Sequence, residues 1–452
     1  MLTQLHIGID DTDSPTSGCT TYIGALLVEE FRKRDLTFID YPNLVRLNPN
    51  IPWKTRGNGA ICLRLRLDKD EIKNVKELTI KCVEKNSDLR STRTDPGIAF
   101  LEGKPHDGLK FFYQEAICGI INQKKVLKII RISHMEALGL GGSRGILGAS
   151  AAIGGLLQGD HTYEAITYRL RRNRGKPRKV DENSVLRMDQ KTQPFTFSNF
   201  DPETGRILIT PRGPDPLLFG VRGESPKVVK NALGMIKTGE EIERWVVFRT
   251  NQGTDAHLLR KYKISETRPF MPVIVAGKVT GEPLTIIGGH VIFKLGDETG
   301  EVNCAAYAPT CSFRKIVREL TFNDEVMVFG GVRKASRIHP QIINIEKIRV
   351  LKLADKVQYV NPACPRCNKR MGSMGVNKGF RCKKCGLRKA GLDKVIVKLP
   401  RQLTPGLYIT PPSANRHLTK PAIRYGQEKS GVCSFRERSL VDFYELRTRI
   451  TV

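Results

Sequence analysis

The chain has 452 residues and carries 75 Lys and Arg against 46 Asp and Glu, a formal net charge of +29. At roughly 100 to 200 residues per domain, this length predicts three or four domains. The charge far exceeds what solubility needs and points to a large polyanion, nucleic acid first. A membrane surface is disfavoured, because the run Leu147 to Leu157 is glycine-broken and much shorter than the ~20 residues of a spanning helix. Met1 to Asp13 has neither the basic start nor the apolar core of a secretory signal. Eleven cysteines, four of them in two close pairs, do not make a disulfide framework and indicate a reducing cytoplasm.

In chain order, Leu5, Ile7 and Ile9 alternate with His6 and Gly8, which predicts a strand with one buried face. It stops at Asp10, Asp11, Thr12 and Asp13. After the turn-rich Ser14-Pro15-Thr16-Ser17-Gly18, the residues Tyr22, Ile23, Leu26, Leu27 and Phe31 recur at helical spacing, so Cys19, Thr20 and Thr21 stand at a helix entrance. Three crowded carboxylates repel one another, and a hard divalent cation such as Mg²⁺ relieves that repulsion. Free N–H groups at the helix start favour a phosphate near Thr20. An Asp-rich turn that merely caps the helix accounts for the pattern equally well.

Phe38 to Leu47 reads as a strand, followed by a loop in which Arg46, Lys54 and Arg56 accompany Gly57 and Gly59. That combination suits phosphate binding, but the spacing is not that of a P-loop, and an ordinary basic turn reads the same way. Ala60 to Leu67 predicts a strand with a cationic face, Asp68 to Lys85 a helix, Gly97 to Leu101 a strand and Gly108 to Ile130 one or two helices, an α+β or α/β alternation. Gly139 to Gly145 is a second glycine-rich loop, with Arg144 before a small-residue helix, Ile146 to Leu157. It fits a triphosphate at a helix start or close packing of helix on strand.

Thr162 to Lys179 holds Arg169, Arg171, Arg172, Arg174, Lys176, Arg178 and Lys179, read as a contact for an RNA backbone. A turn at Asn199 to Gly205, a strand at Arg206 to Thr210 and a rigid loop at Pro211 to Pro216 follow. Asp201 and Asp215 are candidates to hold a cationic small molecule, or to cap turns. Trp245 to Arg249 is a strand leading into the polar loop Thr250 to His257, where His257 alone signals nothing. From Met271 to Leu351, short β-branched runs between turn residues predict a small closed barrel, an OB-fold before a sandwich.

Cys364-Pro365-Arg366-Cys367 and Cys382-Lys383-Lys384-Cys385 are two CxxC knuckles at zinc-ribbon separation. Four thiolates enclose a tetrahedral Zn²⁺ in a closed, structural site. Residues 390–452 form a basic tail with no further chemistry than extending an RNA surface. The domains expected are a catalytic region at 1–190, its remainder at 191–265, the barrel at 271–351, the ribbon at 360–389 and the tail.

Taken together, these segments resemble the archaeal 2-agmatinylcytidine synthetases that act on the CAU-anticodon isoleucine tRNA, the TiaS family. The motifs that carry the resemblance are Gly8 to Asp13, Gly18 to Thr21, Arg46 to Pro49, Lys54 to Gly59, Arg144-Gly145, Pro211 to Gly223 and Arg249 to Asp255. The resemblance implies a multidomain α+β protein in which a kinase-like domain accompanies a ferredoxin-like one, ahead of the OB-fold and ribbon. It implies an ATP-dependent ligase that phosphorylates the C2 oxygen of the wobble cytidine and lets agmatine displace the phosphate, so that AUA is read instead of AUG. Asp10, Asp11 and Asp13 are then the Mg²⁺ ligands, Thr20 a self-phosphorylation site, and Lys54, Arg56, Arg144 and Gly145 the ATP-phosphate contacts. Asp201 and Asp215 are the agmatine candidates, and no obligate protein partner is implied. The competing reading is a non-catalytic nucleic-acid-binding protein in which barrel and ribbon do the work.

Overall fold

The computed structural model describes residues 1–14, 17–337 and 340–430 and the strand Tyr444–Leu446. Pro15 and Thr16 of the expected turn, the scattered Cys433 and most of the end of the tail lie outside the described residues. The alternation at the start forms β1 (Leu2–Asp10), with Leu5, Ile7 and Ile9 fully buried. α1 (Thr20–Arg32) lays Ile23, Leu27 and Phe31 into the same core. Phe38 to Leu47 is two strands rather than one, β2 (Thr37–Phe38) and β3 (Asn43–Arg46). Pro42 between them has no N–H to give a ladder.

β4 (Gly59–Asp68), α2 (Ile72–Asn86), β5 (Gly97–Glu102), α3 (Asp107–Cys118), α4 (Gln123–Ile132) and β6 (Glu136–Gly139) complete a first antiparallel half-sheet in the order β6-β5-β1-β4-β3. α5 (Arg144–Gly154) lies across β1 and β5. Small residues make that approach possible: a Cβ on Gly8 would stand 2.0 Å from the Ala149 carbonyl oxygen, and one on Gly97 2.0 Å from the Gly145 carbonyl carbon. The far end of α5 is capped from the sheet, where the buried Arg64 donates to the carbonyls of Ala152, Ile153 and Gly155. A cation there complements the negative end of the helix dipole.

The second half-sheet runs β12-β7-β11-β8. It contains β7 (Thr162–Arg169), α6 (Glu182–Thr192), β8 (Thr196–Phe197), the short pair β9 (Phe200–Asp201) and β10 (Arg206–Ile207), β11 (Leu217–Gly223), α7 (Pro226–Leu233) and β12 (Ile242–Thr250). The strand expected at Arg206 to Thr210 is therefore only two residues long. The two halves meet where β3 and β12 pair in parallel, Asn43 with Arg249 and Leu44 with Thr250. A buried polar network crosses that seam: Asn43 and Arg249 both donate to Asp40, and Arg64 donates to Asn43.

Residues 271–351 form the expected barrel. Its strands are β13 (Pro272–Val279), β14 (Leu284–Thr285), β15 (Val291–Asp297), β16 (Gly300–Ala306), β17 (Glu325–Arg333) and β18 (Ile342–Lys352), with α8 (Phe313–Arg318) between β16 and β17. The ring β13-β17-β18-β16-β15 closes by pairing of β13 with β15, around Val273, Phe293, Leu295, Val328 and Ile348. β19 (Val357–Val360) pairs with β23 (Val395–Lys398), and the ribbon with its short strands β20 (Gly372–Ser373), β21 (Phe380–Arg381) and β22 (Arg388–Lys389) lies between them in sequence.

The tail departs from its expectation. β24 (Gly406–Ile409) adds to β18, and residues 410–430 then return as a strap to the second half-sheet. Arg424, fully buried, is clasped by Asp160, Glu224 and the Gly253 carbonyl. Tyr444–Leu446 pairs with β12.

Candidate functional site

The acidic loop opens from the end of β1 into a cavity of about 540 Å³ between the two half-sheets. Asp11 has φ +56, a left-handed conformation that Asp tolerates better than most residues. Asp13 reaches across the loop to cap α1, accepting from the Thr20 backbone N–H at 2.6 Å and its hydroxyl at 3.1 Å. The Thr20 hydroxyl also lies 3.0 Å from that of Thr12. The capping reading of this loop is thus physically realised, and the cap leaves Asp10, Asp11 and Thr20 on the cavity wall.

Burial, then repulsion from Asp11, pushes the Asp10 carboxyl up to about 8. Burial lifts Asp11 to about 6 against the pull of Arg144, whose Nε donates to it at 2.5 Å. A cation near the loop would favour ionisation of Asp10 and Asp11, but among the described residues the side chains grouped closely enough to hold a metal are the four ribbon cysteines, not these carboxylates.

Arg144 is held facing the loop by its own surroundings. Asp95 accepts from the backbone N–H groups of Gly142 and Arg144, folding the glycine-rich loop around a carboxylate, and the Arg93 carbonyl accepts from the Arg144 guanidinium. Gly145 points away from the cavity and packs on Gly97, so the loop realises the close-packing reading while its neighbour Arg144 lines the site. Gly148 is as constrained, since a Cβ there would lie 1.7 Å from Asp10 Oδ2.

Lys54 and Arg56 enter from the loop after β3. Arg56 stands 3.5 Å from both Asp13 and Asp215. Asp215 is also bound by Arg178 at 3.0 Å, so this carboxylate faces the cavity between two guanidinium groups. Asp201 is elsewhere, buried, accepting from the Glu203 backbone N–H at 3.0 Å, and is not among the residues lining this cavity.

Glu164, Arg222 and His417 also line the wall, although the sequence did not mark them, and Arg46 joins them from the basic loop. Glu164 of β7 is buried and accepts from Arg222 at 3.1 Å and from Gln252, with Arg46 at 3.9 Å. Arg46 is fixed by a reciprocal pair of bonds between its backbone and the Asn251 side chain, 2.8 and 2.9 Å. His417 arrives on the strap. A carboxylate inside the otherwise uncharged stretch Thr162 to Tyr168 was a readable signal for Glu164; nothing local marks His417.

The basic run is more structural than its composition suggests. Arg169 pairs with Glu240, Arg172 with Glu241, Arg174 with Glu243 and Arg178 with Asp215. Arg174 also lies over the Tyr22 ring, 4.5 Å from its centroid. These pairs consume much of the charge that would otherwise face RNA.

In the ribbon, the sulfurs of Cys364, Cys367, Cys382 and Cys385 all lie within 4.8 Å of one another, with contacts of 3.4 to 3.8 Å. Tetrahedral Zn–S bonds of about 2.3 Å require sulfurs roughly 3.8 Å apart, so the set fits zinc. Backbone N–H groups of Cys385 and Lys384 help hold the Cys382 thiol at about 6, towards the thiolate a metal needs.

The fold and these sites define a multidomain α+β protein with a charged cavity between its half-sheets, a closed five-stranded barrel and a four-cysteine ribbon. Family models match three stretches: the TiaS TCKD domain at residues 6–142, the TiaS FLD domain at 143–257 and the TiaS C-terminal zinc ribbon domain at 361–403. TiaS of Pyrococcus horikoshii, the 2-agmatinylcytidine synthetase for isoleucine-2 tRNA, is 44% identical, covering 93% of this chain and 97% of its own. The complex of TiaS with isoleucine-2 tRNA and ATP superposes with a TM-score of 0.84 at 36% identity, and the complex with that tRNA, AMPCPP and agmatine with 0.82 at 35%; each covers 93% of this chain and 97% of the other. The chain belongs to the TiaS family.

Proposed function

We propose that this protein attaches agmatine to C2 of the wobble cytidine of the CAU-anticodon isoleucine tRNA at the expense of ATP, changing decoding from AUG to AUA. Relatives that match it over nearly their whole length carry the name of a 2-agmatinylcytidine synthetase, and one has been captured with isoleucine-2 tRNA, an ATP analogue and agmatine. The observation that carries the reading here is the cavity itself, where three carboxylates, Thr20, Lys54, Arg56 and Arg144 converge from four separate segments.

The C2 oxygen of cytosine is a poor leaving group until phosphorylated, and phosphoryl transfer is mainly a matter of positioning and charge neutralisation. Asp10, Asp11 and Asp13 are the residues that would hold Mg²⁺, whose contribution when bound is to offset charge on the phosphoryl oxygens. Arg56, Arg144 and Lys54 orient the phosphates from the two sides of the loop, and Gly145 keeps Arg144 in place by its packing on Gly97. Thr20, at the start of α1, receives a phosphate in self-phosphorylation. Asp215, which shares Arg56 with Asp13 and lines the cavity, is the carboxylate assigned to the guanidinium of agmatine; Asp201, away from the cavity, supports a turn. The first half-sheet acts as the kinase-like unit and the second as the ferredoxin-like one. The barrel, an OB-fold, and the zinc-bound ribbon hold the tRNA while the wobble base leaves its stack and enters the cavity.

Incubation with ATP, Mg²⁺, labelled agmatine and a CAU-anticodon isoleucine tRNA transcript tests this. Label is expected at the wobble nucleoside. A folded protein that binds the tRNA and incorporates none would establish the binding-only alternative.

A further inference from the structure

His417 is the one cavity side chain delivered by the C-terminal strap, and its backbone is firmly fixed. Its carbonyl accepts from the Gly253 N–H, and that of Leu418 from the Asp255 N–H, both at 2.8 Å. Next to it, Arg416 donates to the Pro49 carbonyl at 2.9 Å and forms an ion pair with Glu346 at 3.2 Å. The ring itself is exposed to the cavity and makes no hydrogen bond among the described residues. Gly57 leaves the space for it: a Cβ there would lie 2.7 Å from the ring Nε2 and 2.6 Å from the Arg46 guanidinium. The ring also borders an adjoining cavity of about 460 Å³ that Asp215 lines as well.

The charges around it come from every neighbouring element. Arg46 faces it from β3, Lys54 from the following loop and Arg222 from β11, with Arg416 beside it on the strap. Glu164 is shared between Arg46 and Arg222, while Arg56 and Asp215 also line the smaller cavity. Arg46 first, with Arg222 and Lys54, keeps the imidazole well below its ordinary 6.5 and therefore neutral, with a lone pair free. The same field disfavours a second ammonium, so a primary amine entering here sheds its first proton to solvent more readily.

We propose that His417 is the proton acceptor for the attacking amine. The inference rests on the ligase reading above. Asp215 engages the guanidinium end, and the free amine points towards His417. The nitrogen lone pair forms the bond to C2, the C2–O bond to the activating phosphate breaks, and its electrons leave with inorganic phosphate. One N–H proton passes to the imidazole, and the imidazolium then releases it to solvent. No oxidant or further reactant is needed.

The test compares His417→Gln and His417→Ala with the unaltered chain, following ATP-dependent phosphate transfer to Thr20, retention of tRNA, and agmatine incorporation. Incorporation is expected to fall about 10²-fold or more, with phosphate transfer and tRNA retention kept. The acidic limb of the rate–pH profile, expected below pH 6.5, should vanish in His417→Gln, and added imidazole should restore part of the rate in His417→Ala. Incorporation at the unaltered rate, or phosphate transfer falling in step with it, would overturn the assignment. Absence of incorporation by the unaltered chain would instead remove the ligase reading, and this inference with it.

Discussion

The four-cysteine ribbon and the cavity are built in opposite ways. The ribbon takes all its ligands from Cys364 to Cys385, over a small core of Met371 and Phe380. The cavity gathers its wall from residues as far apart as Asp10 and His417, and no segment of the chain holds more than a fraction of it. A local site survives changes elsewhere and needs a metal to replace the core it lacks. A dispersed site depends on packing at a distance, so small changes far from the chemistry reach it. Gly148 shows this directly, because its missing side chain is what gives the Asp10 carboxylate its place.

The largest effect should come from the cavity. Asp10→Asn is expected to lower agmatine incorporation about 10³-fold, and Gly148→Ala about 10²-fold by displacing the same carboxylate. Both should keep zinc content and tRNA retention unchanged. Loss of zinc in either variant, measured by metal analysis, would mean the two regions are not independent.

Next comes the ribbon. Cys364→Ser combined with Cys367→Ser should release zinc and weaken tRNA binding on the order of tenfold, about 1.4 kcal/mol, while phosphate transfer to Thr20 continues. If transfer stops as well, the ribbon is more than a grip.

A third effect, on stability and not on agmatine incorporation, concerns the joint between barrel and catalytic sheet. The buried Glu346 accepts from His257 at 3.0 Å and from Thr419 at 2.6 Å, and pairs with Arg416. Burial pushes its carboxyl up, but His257, Arg416 and Thr419 outweigh that and bring it down to about 2. Being depressed, this group stabilises the fold above its ordinary 4.5, and the contribution is lost as pH falls through about 2. Glu346→Gln should cost about 3 kcal/mol at neutral pH, read from denaturant unfolding, and the difference from the unaltered chain should shrink as the pH is lowered from 4.5. A difference independent of pH would show that the carboxylate charge is not what holds the joint.

The same contrast explains how much could be read from the amino-acid sequence. The ribbon was legible because its ligand spacing is the site. β1, the acidic loop and α1 were legible because hydrophobic period and turn residues are local signals. Most of the barrel followed for the same reason. The seam between half-sheets was not, since it rests on two residue pairs joining β3 to β12. The internal pairing of the basic run from Arg169 was not legible, because Glu240, Glu241 and Glu243, which neutralise part of it, lie about 70 residues downstream. The strap was invisible for a similar reason: Lys420 and Arg424 look like part of a solvated basic tail until Asp160, Glu224 and Asp255 are seen opposite them. The loop Arg249 to Asp255 read as polar, and the structure shows much of its polarity spent internally, Asn251 on Arg46, Gln252 on Glu164 and Asp255 on Lys347.

The central claim is that the cavity transfers a phosphoryl group to a base oxygen. Its most direct test uses an anticodon RNA whose wobble cytidine carries ¹⁸O at C2, incubated with the protein, ATP, Mg²⁺ and agmatine. Because the C2 oxygen leaves with the phosphoryl group, the released inorganic phosphate should carry ¹⁸O in step with agmatine incorporated. Label found in AMP, or phosphate released without label while agmatine is incorporated, would contradict it.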